Sequence, residues 1–140
     1  MEPENTWSWR RSTNIYQLKS WKFTALNKNT DLLLLLKSSG IGDGEPDLGE
    51  KLMKAFLSSI IENGQAPDKI ICLNSAIYLT TEGSQVVELL SEFESTGTEI
   101  FSCGTCLDYY NRTDKLLIGK AGNMNDTLAA MLKYKKVLSP

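Results

Sequence analysis

The chain has no histidine, only three cysteines and only four prolines among its 140 residues. Without histidine, three cysteines cannot supply the four Cys or His ligands of the usual structural zinc site. Three cysteines are also too few, and odd in number, for the disulfide framework of a small secreted protein, whereas free thiols persist most easily in a reducing compartment. We therefore predict no metal, no other cofactor and no disulfide scaffold, and we expect a cytoplasmic protein.

Long apolar segments are also missing. The longest apolar run, Leu32 to Leu36, is far shorter than the roughly 20 residues of a membrane span, and no apolar signal-peptide segment occurs near Met1. The formal net charge is -2, which disfavours a nucleic-acid footprint on the main domain. With 41% hydrophobic and 23% charged residues, the composition is that of a globular domain without a membrane or nucleic-acid partner.

Residues 1–30 differ from the rest of the chain. They contain all three tryptophans, and they carry five basic residues against two acidic ones. An N-terminal arm or edge-strand extension is the favoured interpretation, and an aromatic and basic nucleic-acid surface is the alternative. This segment stays unassigned, and residues 31–140 are predicted to form the domain.

From residue 31 onward, short apolar runs alternate with segments of helical periodicity, which is typical of β-α-β units and a parallel sheet. Asp47 is predicted to cap the first helix, with Glu50 bonding back as in a capping box. A second amphipathic helix is marked by Val86, Val87, Leu90 and Phe93 and ends near Gly97. A short helix is expected after Cys106 and a last helix over residues 125–133. The five predicted strands cover residues 32–36, 69–74, 99–103, 115–119 and 137–138.

The sequence "SCGTC" places Cys103 at the predicted carboxyl end of the third strand and Cys106 three residues later. Reactive groups of parallel α/β sheets gather at such strand ends. The following helix is expected to direct backbone N–H groups at the Cys103 sulfur and to stabilise its thiolate. One helical turn also brings Cys106 within disulfide range. The spacing alone leaves open whether the pair is functional or consists of two unrelated small residues.

Polar residues after the other strands are candidates for a crevice beside Cys103. Asn74, Thr80 and Thr81 follow the second strand and Asn123 follows the fourth, although turn formation and helix capping explain them as well. Between the cysteines, Gly104 removes bulk and Thr105 offers a hydroxyl. Cys72 is predicted to lie in the core. The glycines of "GIGDG" do not match a dinucleotide-binding motif.

Four blocks in this order, "GIGDGEPDLGEKLMKAFL", "LNSAIYLTTEGS", "FSCGTCLDYY" and "IGKAGNMND", closely resemble the C-terminal domain of the YedF-type, sulfurtransferase-like selenium-metabolism proteins. These belong to the DsrE/DsrF-like group, and the resemblance covers about residues 31–140. It implies a DsrE-like α/β three-layer sandwich with a mostly parallel five-stranded sheet, assembled as a homo- or hetero-oligomer, of which we expect a homo-oligomer. The first 30 residues lack the C-P-x-P motif with which such proteins often begin.

For function, the resemblance implies that Cys103 accepts sulfur as a persulfide and passes it to another protein, which is a sulfur donor or acceptor. The role of Cys106 as a resolving or second chalcogen-handling thiol rests on its spacing. Two alternatives stay open, namely a thiol-disulfide redox switch and a noncatalytic oligomeric binding module. The sequence distinguishes neither sulfur from selenium nor one partner from another.

Overall fold

The computed structural model describes residues 30–140. The predicted N-terminal arm, residues 1–30, lies outside the described residues except for Thr30. The strands are β1 (Leu32–Leu36), β2 (Lys69–Cys72), β3 (Glu99–Cys103), β4 (Lys120–Gly122) and β5 (Lys136–Leu138), and the helices are α1 (Pro46–Glu62), α2 (Val87–Ser95), α3 (Gly104–Tyr109) and α4 (Met124–Lys133). Two 3₁₀ helices cover Asn74–Leu79 and Thr113–Lys115. No helix of residues 30–140 is long and apolar enough to cross a membrane.

All strand pairs are parallel, and the order across the five-stranded sheet is β4-β3-β2-β1-β5. The sheet is α/β with helices on both faces, as the sequence predicted. Helices α1, α2 and α3 pack on one face together with the first 3₁₀ helix, while α4 packs on the other. The chain passes from β1 to β4 across the sheet and then returns to place β5 beside β1.

The leucines of β1 are buried on both sides because successive strand residues point to opposite faces. Leu34 and Leu36 join the larger core beneath α1 and α2, whereas Leu33 and Leu35 join the smaller core beneath α4. In α1, the buried residues Met53, Leu57 and Ile61 recur at four-residue spacing and form the stripe that covers the sheet. The burial of β1 on both faces is confirmed, whereas in α1 the periodicity also predicts burial of Leu48 and Leu52, which are 53% and 43% exposed.

The predicted start of α1 was wrong by two residues. Glu45 occupies the N-cap position, Pro46 follows as the first helical residue, and no side chain caps the helix. Proline favours this position because its missing N–H would have no intrahelical partner there and its fixed φ suits a helix. Asp47 therefore lies within the first turn, and the capping box with Glu50 does not form.

The fourth strand was predicted at residues 115–119 but runs from Lys120 to Gly122. The apolar run before it makes other contacts. Leu116 forms an isolated antiparallel bridge with Thr81, and Ile118 is buried in the core. Gly119 has a φ of 76°, and this left-handed turn directs the chain into the sheet only at Lys120.

Candidate functional site

Cys103 is the last residue of β3 and the N-cap residue of α3. Its Sγ atom accepts a hydrogen bond from the backbone N–H of Cys106, with a donor-to-sulfur distance of 3.3 Å. Because α3 has only six residues, this direct N–H contact matters more than a helix dipole. The side chain is 8% exposed. The predicted position at a central strand end is thus confirmed, and a backbone N–H points at this sulfur.

Cys106 lies one turn later and is half-buried. Its Sγ accepts a hydrogen bond from the backbone N–H of Asn74 at 3.1 Å. Burial raises the pKa of the Cys106 thiol, and a hydrogen bond with the Cys103 side chain raises this pKa further, while the Asn74 N–H acts in the opposite direction. Cys106 therefore favours the protonated form and can donate its S–H to the neighbouring sulfur.

Asn74 begins the first 3₁₀ helix with a φ of 55°. Asparagine is among the few residues other than glycine that tolerate this left-handed conformation. Its backbone N–H bonds the Cys106 sulfur, and its side-chain Oδ1 accepts a hydrogen bond from the Tyr110 hydroxyl at 3.1 Å. Asn74 therefore lies next to the thiol pair, where the sequence suggested a crevice.

Thr80 and Thr81 are fully buried. The hydroxyls of both donate to the carbonyl of Ile77, and the Thr80 hydroxyl also lies 2.7 Å from that of Ser102 in β3. Both threonines therefore bond the backbone of the preceding 3₁₀ helix. This fits the turn-forming role that the sequence offered as an alternative to lining a crevice. Thr81 has an additional role, because its Oγ1 accepts a hydrogen bond from Arg112 at 3.2 Å.

The other candidate side chains are distributed around the same sheet edge. Gly104 starts α3 so close to β4 that a Cβ atom would lie 3.2 Å from the Gly122 carbonyl oxygen. Thr105 is exposed. Asn123 caps α4, because its Oδ1 accepts from the Asp126 N–H at 2.8 Å. The structure thus brings Asn74, Cys103 and Cys106 into contact and gives Asn123 a capping bond.

Cys72 ends β2 but is completely buried, as predicted. Burial raises the pKa of Cys72 to about 12. Its thiol therefore stays protonated at physiological pH, and Cys72 serves as an internal control for the reactivity of the other two cysteines.

Three residues of the region escaped the sequence prediction. The Tyr78 and Tyr110 rings are 5.0 Å apart, and the Arg112 guanidinium lies 4.5 Å from the centre of the Tyr78 ring. Both tyrosines occur in the quoted sequence blocks, but no spacing rule marks their contact. Arg112 and Tyr78 line a cleft with a volume of about 360 Å³. Within residues 30–140, no group of three or more Cys, His, Asp or Glu side chains could hold a metal ion.

Comparison with known proteins relates the fold to several solved structures. No protein-family model matches the chain, and no curated protein matches it. The YchN protein of E. coli aligns with a TM-score of 0.56 at 16% identity, covering 78% of this chain and 97% of that chain. A protein of unknown function from Methanobacterium thermoautotrophicum aligns with a TM-score of 0.59 at 10% identity and the same two coverages. A conserved protein of unknown function from Bacteroides thetaiotaomicron aligns with a TM-score of 0.53 at 19% identity, covering 81% of this chain and 97% of that chain.

These structures show that the chain has a DsrE-like fold. At identities of 10–19%, the similarity concerns the fold alone, since unrelated functions often share one fold. The predicted fold class is confirmed, and the sheet is entirely parallel.

Proposed function

We propose that this protein is a sulfur carrier in which Cys103 holds the transferred atom as a persulfide. The observation that carries the proposal is the sulfur of Cys103 at the end of a central strand, where it accepts a hydrogen bond from the Cys106 N–H at 3.3 Å. A thiolate is the nucleophile in sulfur chemistry, and a neighbouring N–H and S–H both stabilise it. The DsrE-like fold is consistent with a sulfur-relay protein.

Loading requires no external oxidant. The Cys103 thiolate attacks the outer sulfur of a persulfide donor, a new S–S bond forms, and the donor's own S–S bond breaks. The donor leaves as a thiolate with the electron pair of that bond. Transfer to an acceptor thiolate reverses these roles, so Cys103 returns to its starting form.

Cys106 offers a second way to discharge the persulfide. If its thiolate attacks the inner sulfur on Cys103, a disulfide between the two cysteines forms and hydrosulfide leaves. A dithiol reductant must then reopen that disulfide before the next cycle. The raised pKa of Cys106 keeps this thiol protonated, which favours transfer to a partner over this internal release at neutral pH.

A thiol-disulfide switch is the second candidate function. It is favoured by the one-turn separation of the two cysteines, in which the Cys106 N–H bonds the Cys103 sulfur at 3.3 Å, because residues one helical turn apart lie within the range of an S–S bond. In this case an oxidant removes two electrons from the pair, and no sulfur atom is carried. Measurement of its reduction potential against the glutathione poise tests this candidate.

The proposed function also implies a partner protein, a cellular compartment and an assembly. Another protein supplies or receives the atom, which is sulfur or, as in the YedF-type resemblance, selenium. The three free thiols suit the cytoplasm. Exposed apolar side chains on α4, namely Met124 at 60%, Leu128 at 52% and Leu132 at 79% exposure, support a homo-oligomer or a docked partner.

The decisive experiment treats the reduced protein with a persulfide donor and records intact and peptide masses. Wild type should gain one sulfur atom at Cys103. The Cys103→Ser variant should gain none, whereas Cys72→Ser should load like wild type and Cys106→Ser should keep the added sulfur longer. Equal loading of all four proteins would contradict the proposal, and a disulfide without added sulfur would favour the switch.

A further inference from the structure

A cleft of about 360 Å³, which Tyr78 and Arg112 help to line, takes no part in the chemistry described above. Its volume falls within the range of small-molecule sites. Helix α1 supplies one wall with Glu50, Met53 and Lys54, and residues 82–86 supply another. These two walls come from the sequence blocks "GIGDGEPDLGEKLMKAFL" and "LNSAIYLTTEGS" and the two residues after the latter.

Arg112 is held in a fixed position at this cleft. Its Nη1 donates to Thr81 Oγ1 at 3.2 Å and to the Glu82 carbonyl oxygen at 2.8 Å, and the guanidinium lies over the Tyr78 ring. Both acceptors are uncharged, and within residues 30–140 no carboxylate pairs with Arg112. Both N–H groups of Nη1 are used in this way, so Nε and Nη2 are the guanidinium donors that remain to bind a carboxylate.

The cleft also contains charges of both signs that lack a protein partner in the part of the chain that the structure describes. Lys54 adds a second cation, and the side chains of Glu50 and Glu82 add two anions, none of which forms an ion pair there. A simple anion such as phosphate would be repelled by the two carboxylates. A ligand with a carboxylate at one end and an ammonium group at the other matches this arrangement.

Aromatic side chains connect the cleft with the cysteines. Tyr78 lines the cleft and packs against Tyr110, whose hydroxyl bonds the Asn74 side chain, and the Asn74 N–H bonds the Cys106 sulfur. Tyr78 and Tyr110 thus link the Arg112 guanidinium to Asn74, the residue that bonds the Cys106 sulfur.

We propose that this cleft binds a low-molecular-weight peptide thiol that carries carboxylate and ammonium groups, and that the persulfide of this thiol is the sulfur donor to Cys103. The proposal rests on the sulfur-carrier function proposed above and names its donor class. In the transfer, the Cys103 thiolate bonds to the outer sulfur, the donor S–S bond breaks, and the peptide leaves as its thiolate. The carboxylate of the donor binds Arg112, and its ammonium group binds Glu50 or Glu82.

The test compares two sulfur donors on the same proteins. Glutathione persulfide carries the carboxylate and ammonium groups, whereas inorganic polysulfide carries neither. At subsaturating concentration and physiological salt, Arg112→Met should slow loading of Cys103 by glutathione persulfide about tenfold, the loss of one charged hydrogen bond. Loading by polysulfide should stay within twofold of wild type. Lys54→Met should show a smaller effect of the same kind, and Lys51→Met, an exposed lysine of α1 outside the cleft, should show none.

A binding measurement separates this inference from the carrier function. S-methylglutathione cannot exchange sulfur, so calorimetric titration reports the cleft alone. Wild type and Lys51→Met should bind it, and Arg112→Met should bind at least tenfold more weakly. Binding of S-methylglutathione without any sulfur loading of Cys103 would refute the carrier function but would still support the ligand site. Loading that is slowed equally for both donors, or no binding of S-methylglutathione by wild type, would overturn the inference.

Discussion

The backbone N–H of Cys106 donates a hydrogen bond to the sulfur of Cys103 over 3.3 Å, so the second cysteine of the pair stabilises the first. The Cys106 sulfur receives a bond of its own from the Asn74 N–H. The two sulfurs therefore differ in their surroundings although they are separated by only three residues. This difference supports the proposed nucleophilic role of Cys103 and the proposed proton-donating role of Cys106.

The first prediction concerns the pH dependence of Cys106 alkylation. Burial and the hydrogen bond with Cys103 raise the pKa of Cys106. Its thiolate should therefore form at higher pH than that of an unperturbed cysteine, whose pKa is about 8.5. Brief iodoacetamide treatment between pH 7 and 10.5, followed by peptide mapping, should give a Cys106 rate that still increases above pH 9. A plateau reached below pH 8 would contradict the assignment, and Cys72 should remain unmodified throughout.

The second prediction concerns two glycines with positive φ. Gly119 has a φ of 76°, and a Cβ atom there would collide with the Ile100 carbonyl oxygen, whereas Gly83 has a φ of 93° with open space around it. Both alanine variants strain the backbone by about 1 kcal/mol, and only Gly119→Ala adds a clash with β3. We expect Gly119→Ala to lower the free energy of unfolding by at least about 2 kcal/mol more than Gly83→Ala does. Urea denaturation measures both, and equal losses would contradict the packing at β4.

Much of the fold could be predicted because its signals are local. The consecutive leucines of β1 predict a strand buried on both faces, and the apolar period of α1 predicts a helix that packs on the sheet. The cysteine pair was also found, since a strand end followed by a short helix is visible in the sequence. The fourth strand was misplaced because Leu116 and Ile118 are apolar for a different reason, since both pack in the larger core and Leu116 also forms a backbone bridge with Thr81.

The surroundings of the cysteines depend on contacts between distant residues, which spacing does not reveal. Asn74 reaches Cys106 across 32 positions, and Arg112 reaches Thr81 across 31. In the sequence, Thr81 is simply a polar residue in a loop. Only the folded chain shows that its hydroxyl is buried and holds the guanidinium at the cleft.

The third prediction tests Asn123 as a helix cap. Its side chain accepts the Asp126 N–H at the start of α4, so Asn123→Ala should lower the free energy of unfolding by about 1 kcal/mol, and Asn123→Ser should recover most of this loss. Sulfur loading of Cys103 should stay at the wild-type rate in both variants. Slower loading in the stable Asn123→Ser variant would instead indicate a direct role beside the thiols.

The fourth prediction tests the buried pair of hydroxyls at Thr80 and Ser102, which lie 2.7 Å apart between the first 3₁₀ helix and β3. Thr80→Val keeps the shape of the side chain but leaves Ser102 without this partner, so the free energy of unfolding should decrease by about 1–3 kcal/mol. Ser102→Ala should also destabilise the protein, because it removes the same bond from the other side.

The double variant distinguishes a structural pair from two independent residues. Once both hydroxyls are absent, no buried polar group of the pair lacks a partner, so its loss of stability should be smaller than the sum of the two single losses by at least about 0.5 kcal/mol. Urea denaturation of the four proteins measures this coupling. Additive losses would show that the two hydroxyls act independently, and a defect in Cys103 loading with unchanged stability in Thr80→Val would show that the Thr80 hydroxyl serves the site rather than the fold.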